Sequence, residues 1–536
     1  MTQVHVLNTD NINKTLESIF TTDHWKTRIH DIHEPLYVVQ SNEINQFGLI
    51  EQSCFNMAAS QHSLNIIGIL PALSPERLGD PNFLKVHHIR FPYIVGEMAN
   101  GIATAEMVIA AAKSGMLGFF GAAGLMPHVV EKNIRHIQQE LQNISFGANL
   151  IYSPNEPQLE EAVANLYLQL NVNRVSASAY MKLSPHIVHY ATKGLHLDAA
   201  GNICRRNYVF AKTSRFEVVK HFISPAPENM LNELVQQGKL TREEAQLAKH
   251  IPVAEDITIE ADSGGHTDNR PLAALFPTIH RLAALTAQHY QYKTALRIGA
   301  AGGLGTPSSI ASAFTLGAAY VLTGSINQSA IESGLSKTAK EMLLKADLTD
   351  VIMAPAADMF ELGVKLQVLK RGSLFGMRAL KLYELYTRYD SLESLPEIEK
   401  NKLETQIFSS SLDSIWKLTR DFFEKRDPQQ IIRAEQNPKH RMALVFRWYL
   451  GLSSHWAIQG EINRQADYQI WCGPAMGAFN KWVDGSFLAD LNARTVQQIG
   501  RNLLEGAVVI LRAQQARCYG LPLPGNVFDF RPRIIN

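Results

Sequence analysis

From Pro92 to Ser325, short apolar runs alternate with longer stretches of helical periodicity. "YIVGEM" predicts a strand. Thr104 then predicts a helix N-cap, with Glu106 in the first turn and Ala-rich sequence to Lys113, and Gly115 ends the helix. "MLGFF", "ISFGANLI", "VNRVSASA", "YVFAKTS", "ITIEADS", "ALRIGAAGG" and "AAYVLTGS" supply seven further strand candidates, most separated by helical stretches. Short apolar strands alternating with helices indicate a parallel sheet buried on both faces. Eight such units predict an α/β fold, the (β/α)8 TIM barrel, over residues 86–330. Ahead of it, "EPLYVVQ" and "FGLIE" predict a hairpin within a small N-terminal cap, residues 1–85. Between the fifth and sixth strands, "ENMLNELVQQGKLTREEAQLAKHIP" reads as a helical pair, an insertion near 222–252 expected over the barrel mouth. After Ser325 the pattern turns to helices with more charge, among them "MFELGVKLQVLKRGSLFGMRALKLYELYTRY". Residues 331–536 therefore read as a helical C-terminal region packed on the barrel, with a last amphipathic helix near Thr495 to Arg517.

Composition narrows the class. The chain has 536 residues, 46% hydrophobic and 19% charged, which suits a soluble globular protein of two or three domains. With 51 basic and 50 acidic residues its formal charge is +1, which argues against broad nucleic-acid or anionic-membrane binding. Met107 to Met126 is apolar enough to suggest a membrane span, but Lys113 and four glycines make it read as helix, turn and buried strand. "MTQVHVLNTDNINK" lacks the basic-then-apolar form of a signal peptide. The four cysteines have no metal-ligand spacing, so a reducing, cytoplasmic setting is expected, with no structural zinc, no iron–sulfur cluster and no metal site.

The candidate chemistry lies at predicted strand ends. "GAAGGLGTPSS" (Gly299 to Ser309) ends one strand and opens a helix, and "LTGSIN" ends the next strand at Gly324 and Ser325. Two neighbouring strand ends with exposed backbone N–H groups make a phosphate cradle, and glycine lets the backbone approach the anion. Each motif alone reads sooner as a tight turn; together, at one strand–helix–strand spacing, they favour phosphate. Ser308 stands where a dinucleotide fingerprint needs its last glycine, so the phosphate expected is that of a mononucleotide such as FMN. Met98, Ala99 and Asn100 close the first strand and would let a ring lie against backbone; Asn149 in "FGANL" can donate and accept. Lys212 ends the fifth strand, where a cation could stabilise negative charge on a reduced ring; the alternative is an ion pair. In "EADSGGHTDNRP", Gly264 and Gly265 would let backbone pass close to a planar ring while His266 reaches over it as an acid or hydrogen-bond donor. The alternative is a loop histidine bonded to Asp262 or Asp268. "WCGPAMGAFNKW" reads as a packed aromatic turn.

These motifs, with "GEMANG", "GAAGGLGTP" and "LTGSINQ", resemble the flavin barrels of the nitronate monooxygenase group. "VIMAPAADMFELGVKLQVLKRGSLF", "MALVFRWYLGLSSHW" and "DYQIWCGPAMGAFN" resemble one branch of it more closely, the PfaD family of trans-acting enoyl reductases of polyunsaturated-fatty-acid and polyketide synthases. The resemblance covers nearly the whole chain. It implies FMN, NADPH and an enoyl thioester on an acyl carrier protein within a synthase complex. Carried over by motif, Met98, Ala99, Asn100 and Asn149 would line the flavin, and Gly302, Gly303, Gly324 and Ser325 would hold its phosphate; Lys212 and Gly265 join the cofactor-binding candidates from their own positions. His266 matches the group's active-site histidine and would position or protonate the thioester; Lys212, by its charge beside the ring, is the second catalytic candidate. Where the broader group has proline in its first strand motif this chain has Glu97, which tells against nitronate chemistry. The alternatives are a nitronate-type flavin oxidase and a non-catalytic docking subunit.

Overall fold

The computed structural model describes residues 18–61, 63–154 and 156–535, so the segment Met1 to Lys14 lies outside the described residues. The cap is a three-stranded antiparallel sheet, β2-β1-β3. The expected hairpin is β1 (Leu36–Ser41) on β2 (Phe47–Glu51), with Val38 opposite Leu49. The third strand, β3 (Leu64–Leu70), had no alternation to announce it: its isoleucines 66, 67 and 69 are exposed on both faces.

All eight expected barrel strands form. They are β4 (Tyr93–Val95), β5 (Leu117–Phe120), β6 (Gly147–Ile151) and β7 (Arg174–Ser178). A short hairpin follows, β8 (His196–Leu197) with β9 (Ile203–Cys204). Then come β10 (Tyr208–Thr213), β11 (Asp256–Glu260), the two-residue β12 (Gly265–His266), β13 (Arg297–Ala301) and β14 (Val321–Thr323). The eight larger strands pair in parallel and close when β14 meets β4, Thr323 opposite Val95. Burial on both faces explains their nearly unbroken apolar runs. The first outer helix, Ala105–Lys113, is capped by Thr104 Oγ1, which accepts from the Met107 N–H at 3.0 Å; Gly115, at φ 80°, turns the chain out of it. Met107 to Met126 is thus helix, turn and β5, and among the described residues no helix is long and apolar enough to cross a membrane.

The amino end of the barrel is closed by charge. Arg297 is wholly buried and donates to Asp256 at 2.6 and 2.7 Å, and Asp256 meets His87 Nε2 at 3.1 Å. Burial would raise the Asp256 pKa, but Arg297 and His87 outweigh it and hold the carboxyl well below its usual range. The inserted helical pair, Glu228–Gln236 and Arg242–Ala248, also belongs to this end rather than over the mouth. It packs on helix Pro185–Thr192 and β8, and Glu244 accepts from the Gly194 N–H at 2.7 Å. Its apolar face (Leu231, Leu234, Ala245, Ala248) fixed that it is buried, but not against which neighbour.

Residues 331–536 depart further from expectation. The stretch read as helix from Met359 contains instead a strand, β16 (Lys365–Leu369), which pairs with β15 (Val351–Pro355) just ahead of it and joins β12 in a sheet of order β12-β16-β15. Leu366, Gln367, Val368 and Leu369 are all buried there, and glycines at positive φ, Gly363 and Gly372, bracket the strand. Burial on both sides overrides local helical propensity. Helix resumes at Phe375–Arg388. Helices Leu412–Arg426 and Pro438–Gln459 complete a second core containing Phe360, Leu382, Phe408 and Tyr449, and helix Pro428–Gln436 packs on both of them. The last helix, Val496–Cys518, returns to the barrel between Pro307–Thr315 and Ala105–Lys113. Gly506 allows it: a Cβ there would lie 2.6 Å from Pro307. This is the barrel's eighth outer helix, so the second region is an insertion between the eighth strand and its helix.

Candidate active site

A cavity of about 1020 Å³ opens at the carboxyl ends of the barrel strands, walled on one side by strand ends and on the other by the insertion. Every residue singled out from sequence lines it. Gly302 (φ 87°) and Gly303 (φ 71°) follow β13. A Cβ on Gly302 would stand 2.6 Å from the Ala261 carbonyl carbon, whereas one on Gly303 would meet nothing within 4 Å and project into open space. Beyond β14, a Cβ on Gly324 would reach only Met98 Sδ, at 3.9 Å. Ser325 opens a short 3-10 helix, and its Oγ accepts from the Gly473 N–H at 3.1 Å. Asn327 Nδ2 donates to the Thr323 carbonyl at 2.8 Å and pins the bend. Two adjacent main-chain turns with room in front of them suit an anion the size of a phosphate.

The first strand end forms the next part of the wall. The Met98 carbonyl accepts from the Ala103 N–H at 3.0 Å. Ala99 follows, and Asn100, at φ 55°, sends Nδ2 across to Ser454 Oγ of the insertion at 3.2 Å. Asn149 is 3% exposed and its Nδ2 donates to the Ser176 carbonyl (3.0 Å) and Ser178 Oγ (2.8 Å). Lys212 stands between two carboxylates, 3.1 Å from Glu97 and 3.2 Å from Glu260. Burial alone would lower its pKa; Glu260 and Glu97 outweigh that and hold the ammonium charged. The ion-pair reading of Lys212 is thus observed, and its side chain also lines the cavity. The Glu97 side chain is only 2% exposed, and neither oxygen has an aligned hydrogen bond, so its contact with Lys212 is charge proximity rather than a directed bond.

His266 sits on β12. Gly264 is held so close to the Cys472 N–H and Ser325 Oγ that a Cβ would stand 2.7 and 2.9 Å away; Gly265, at φ 84°, has nothing within 4 Å of its Cβ position. Neither aspartate considered from sequence holds the ring: Asp262 accepts from Asn269 and Gln367, and Asp268 from Ser214 and Arg215. The partner is Asp358, in the loop between β15 and β16, with Oδ1 3.2 Å from His266 Nε2. Burial works against the imidazolium, but Asp358, with help from Glu260, outweighs it and raises the His266 pKa. The same pairing depresses the Asp358 carboxyl against its own burial.

Asp358 was invisible in sequence, a single acid in "APAADMF" placed by a hairpin that was itself unexpected. Two helical stripes were missed as well: Leu418, Phe422 and Arg426 on one helix, and His440, Leu444, Arg447, Trp448, Gly451 and Ser454 on another. Their i, i+3 and i, i+4 spacing was legible, but nothing marked them as lining rather than core. "WCGPAMGAFNKW", read as structural, contributes Trp471 and Ala475 to the lining, and its main chain presses on Gly264. Arg426 donates to Glu156 at 2.7 and 3.0 Å and bridges the two walls.

Against known proteins, a family model described as nitronate monooxygenase matches residues 81–390. A second, described as the inserted helical domain of [acyl-carrier-protein] S-malonyltransferase, matches residues 389–468. The chain is 43% identical over 465 residues to polyketide biosynthesis protein PksE of Bacillus subtilis, covering 87% of this chain and 60% of that one. It is 42% identical over 499 residues to a polyunsaturated fatty acid synthase subunit of Thraustochytrium sp., covering 92% of this chain and 33% of that one. It thus spans a third to three fifths of the length of these relatives. Among solved structures, the enoyl reductase domain of MlnA from the macrolactin biosynthesis cluster of Bacillus amyloliquefaciens superposes with a TM-score of 0.79 at 38% identity, over 83% of this chain and 100% of that one.

Proposed function

This chain belongs to the nitronate monooxygenase family, in its PfaD-like enoyl reductase branch, and from that premise we propose that it is an FMN-dependent, NADPH-using reductase. Its substrate is the 2-enoyl thioester of an acyl carrier protein, in polyunsaturated fatty acid or polyketide assembly. The observation that carries the reading is a single cavity joining a two-glycine cradle to a histidine paired with an aspartate. The space in front of Gly303 and Gly324 fits a phosphate, and the cavity exceeds what one ring system fills, which suits a cofactor together with a substrate arm.

In this reading Gly302, Gly303, Gly324 and Ser325 bind the FMN phosphate through main-chain N–H groups. Met98, Ala99, Asn100, Asn149 and Gly265 border the ring, and Lys212, fixed between Glu97 and Glu260, sets a positive charge beside it. FMN, when bound and reduced by NADPH, would supply a hydride, a hydrogen nucleus with its electron pair, to the β-carbon of the enoyl group. His266 completes the addition. With Nε2 held by Asp358, Nδ1 is the nitrogen that gives its proton to the α-carbon, and the imidazole is recharged from solvent. The insertion forms the second wall of the mouth, and half-exposed Leu418 and Phe422 leave it open to the arm.

Purified protein mixed with FMN, NADPH and a 2-butenoyl carrier protein should form the saturated thioester with matched NADPH consumption. Flavin uptake without saturated product would refute the reductase reading.

A further inference from the structure

At the floor of the cavity three charged side chains meet across the barrel. Lys212 stands on β10 and Glu260 ends the neighbouring β11, while Glu97 lies two residues beyond β4. In the closed order β4 is the fourth strand from β10 in either direction, so Glu97 reaches Lys212 from the opposite side of the barrel. Lys212 Nζ lies 3.1 Å from Glu97 and 3.2 Å from Glu260. All three residues line the cavity that holds the glycine cradle. The Lys212 and Glu260 side chains are 17% and 16% exposed and that of Glu97 is 2%, so Glu97 is the deepest of the three.

The formal charges do not cancel. Two carboxylates share one ammonium, which leaves one negative charge, and among the described residues no other cation is paired with either acid. The nearby imidazole of His266 is paired with Asp358 instead. Ser263 Oγ donates to Glu260 at 3.2 Å, whereas neither Glu97 oxygen has an aligned donor. A buried carboxylate with so little compensation destabilises a fold, and proteins keep such groups chiefly at sites of function.

We propose that Glu97, held against Lys212, turns the cavity floor net negative and so lowers the reduction potential of the flavin bound on the rim. The proposal rests on the FMN reading of the cavity and deepens it by reversing the sign expected of Lys212 alone. A lone ammonium beside the ring would favour the electron-rich reduced form; with two carboxylates on it, the trio opposes that form. Reduction becomes harder, and the reduced ring becomes a stronger hydride donor to an enoyl thioester. A unit charge about 10 Å away, at an effective dielectric constant of about 20, shifts such an equilibrium roughly tenfold. Glu97 is a positioning and charge-setting residue here, since both its oxygens are buried.

The test is the midpoint potential of bound FMN, titrated anaerobically against a reference dye. Glu97→Gln should raise it by about 30 mV or more, a tenfold change in the two-electron equilibrium. Glu97→Asp, which keeps the charge, should stay near wild type. The two half-reactions give a second arm: in Glu97→Gln, bleaching by NADPH should quicken and reoxidation by 2-butenoyl carrier protein should slow. An unchanged or lowered potential in Glu97→Gln, or both half-reactions slowing together, overturns the proposal. Should Glu97→Gln not fold, Glu260→Gln removes a charge from the same trio and must raise the potential too; no rise there overturns it equally. A wild type that takes up FMN but makes no saturated thioester would sink the reductase reading alone, and the potentials would still decide the role of Glu97. A wild type that takes up no flavin would sink both.

Discussion

The two walls of the cavity are built on opposite principles. The barrel rim is made of residues with little or no side chain, held in special backbone geometry: Gly302 and Gly303 at positive φ, Gly264 against the Cys472 main chain, Asn100 in the left-handed region. The inserted wall is made of long side chains on regular helices, Phe422, Arg426, His440, Arg447 and Trp448. A rim of main chain recognises something flat and anionic by shape and N–H groups. A wall of side chains recognises something longer by apolar contact and charge. His266 belongs to the first wall and Asp358 to the second, so their pair forms only where the walls meet.

Mutations separate the walls by what they damage. The largest effect is expected at their junction. His266→Ala should lower kcat by about 100- to 1,000-fold, the usual worth of a positioned acid, with flavin content and thermal midpoint unchanged; turnover and absorbance spectra check this. On the rim, Lys212→Met leaves Glu97 buried beside Glu260 without a cation. Breaking such a pair costs about 3 kcal/mol, read by chemical denaturation, and Glu97→Gln added to it should restore most of the loss. Also on the rim, Gly303→Ala puts a methyl group into the cradle and should weaken flavin binding about tenfold, roughly 1.4 kcal/mol, and the left-handed backbone there should cost the apoprotein about 1 kcal/mol further; fluorescence titration measures the first and chemical denaturation the second.

Asp358→Asn tests the inserted wall's hold on the rim, with a smaller expected loss and a diagnostic sign. The His266 pKa is raised in the fold, so activity that needs the imidazolium is present at low pH and falls as pH rises through that raised value. Removing the carboxylate should move this falling limb to lower pH; a limb that stays put contradicts the pairing. Stability follows the same logic. The histidine's contribution is lost as pH rises through its folded pKa, and the aspartate's is lost as pH falls through its depressed one. The smallest effect is expected from Arg426→Gln, which opens the partly exposed bridge to Glu156 and should cost less than about 1 kcal/mol in denaturation.

The same contrast explains what could be read from the chain. Eight apolar runs with capped helices between them forecast the barrel, and its glycines forecast the rim, because a backbone that must turn at positive φ leaves a fixed residue type in a fixed place. The inserted wall left no such mark. Periodicity in "SSLDSIWKLTRDFFEK" forecast a helix, but a stripe facing a cavity and a stripe facing a core have the same spacing. The hairpin that delivers Asp358 was masked by neighbouring helical sequence, since "KLQVL" becomes a strand only through partners β12 and β15. The eighth outer helix, Val496–Cys518, was seen as a helix, but its place in the barrel depends on a contact with Pro307 far back along the chain.

The central claim is that a flavin seated on the glycine rim passes electrons from NADPH to an enoyl thioester lying along the inserted wall. It is tested most directly without oxygen. The FMN-loaded protein is first bleached by one equivalent of NADPH and then mixed with 2-butenoyl carrier protein. The account predicts that the yellow absorbance returns as an equal amount of saturated thioester forms. A flavin that NADPH cannot bleach, or that stays bleached in the presence of the enoyl substrate, would contradict it.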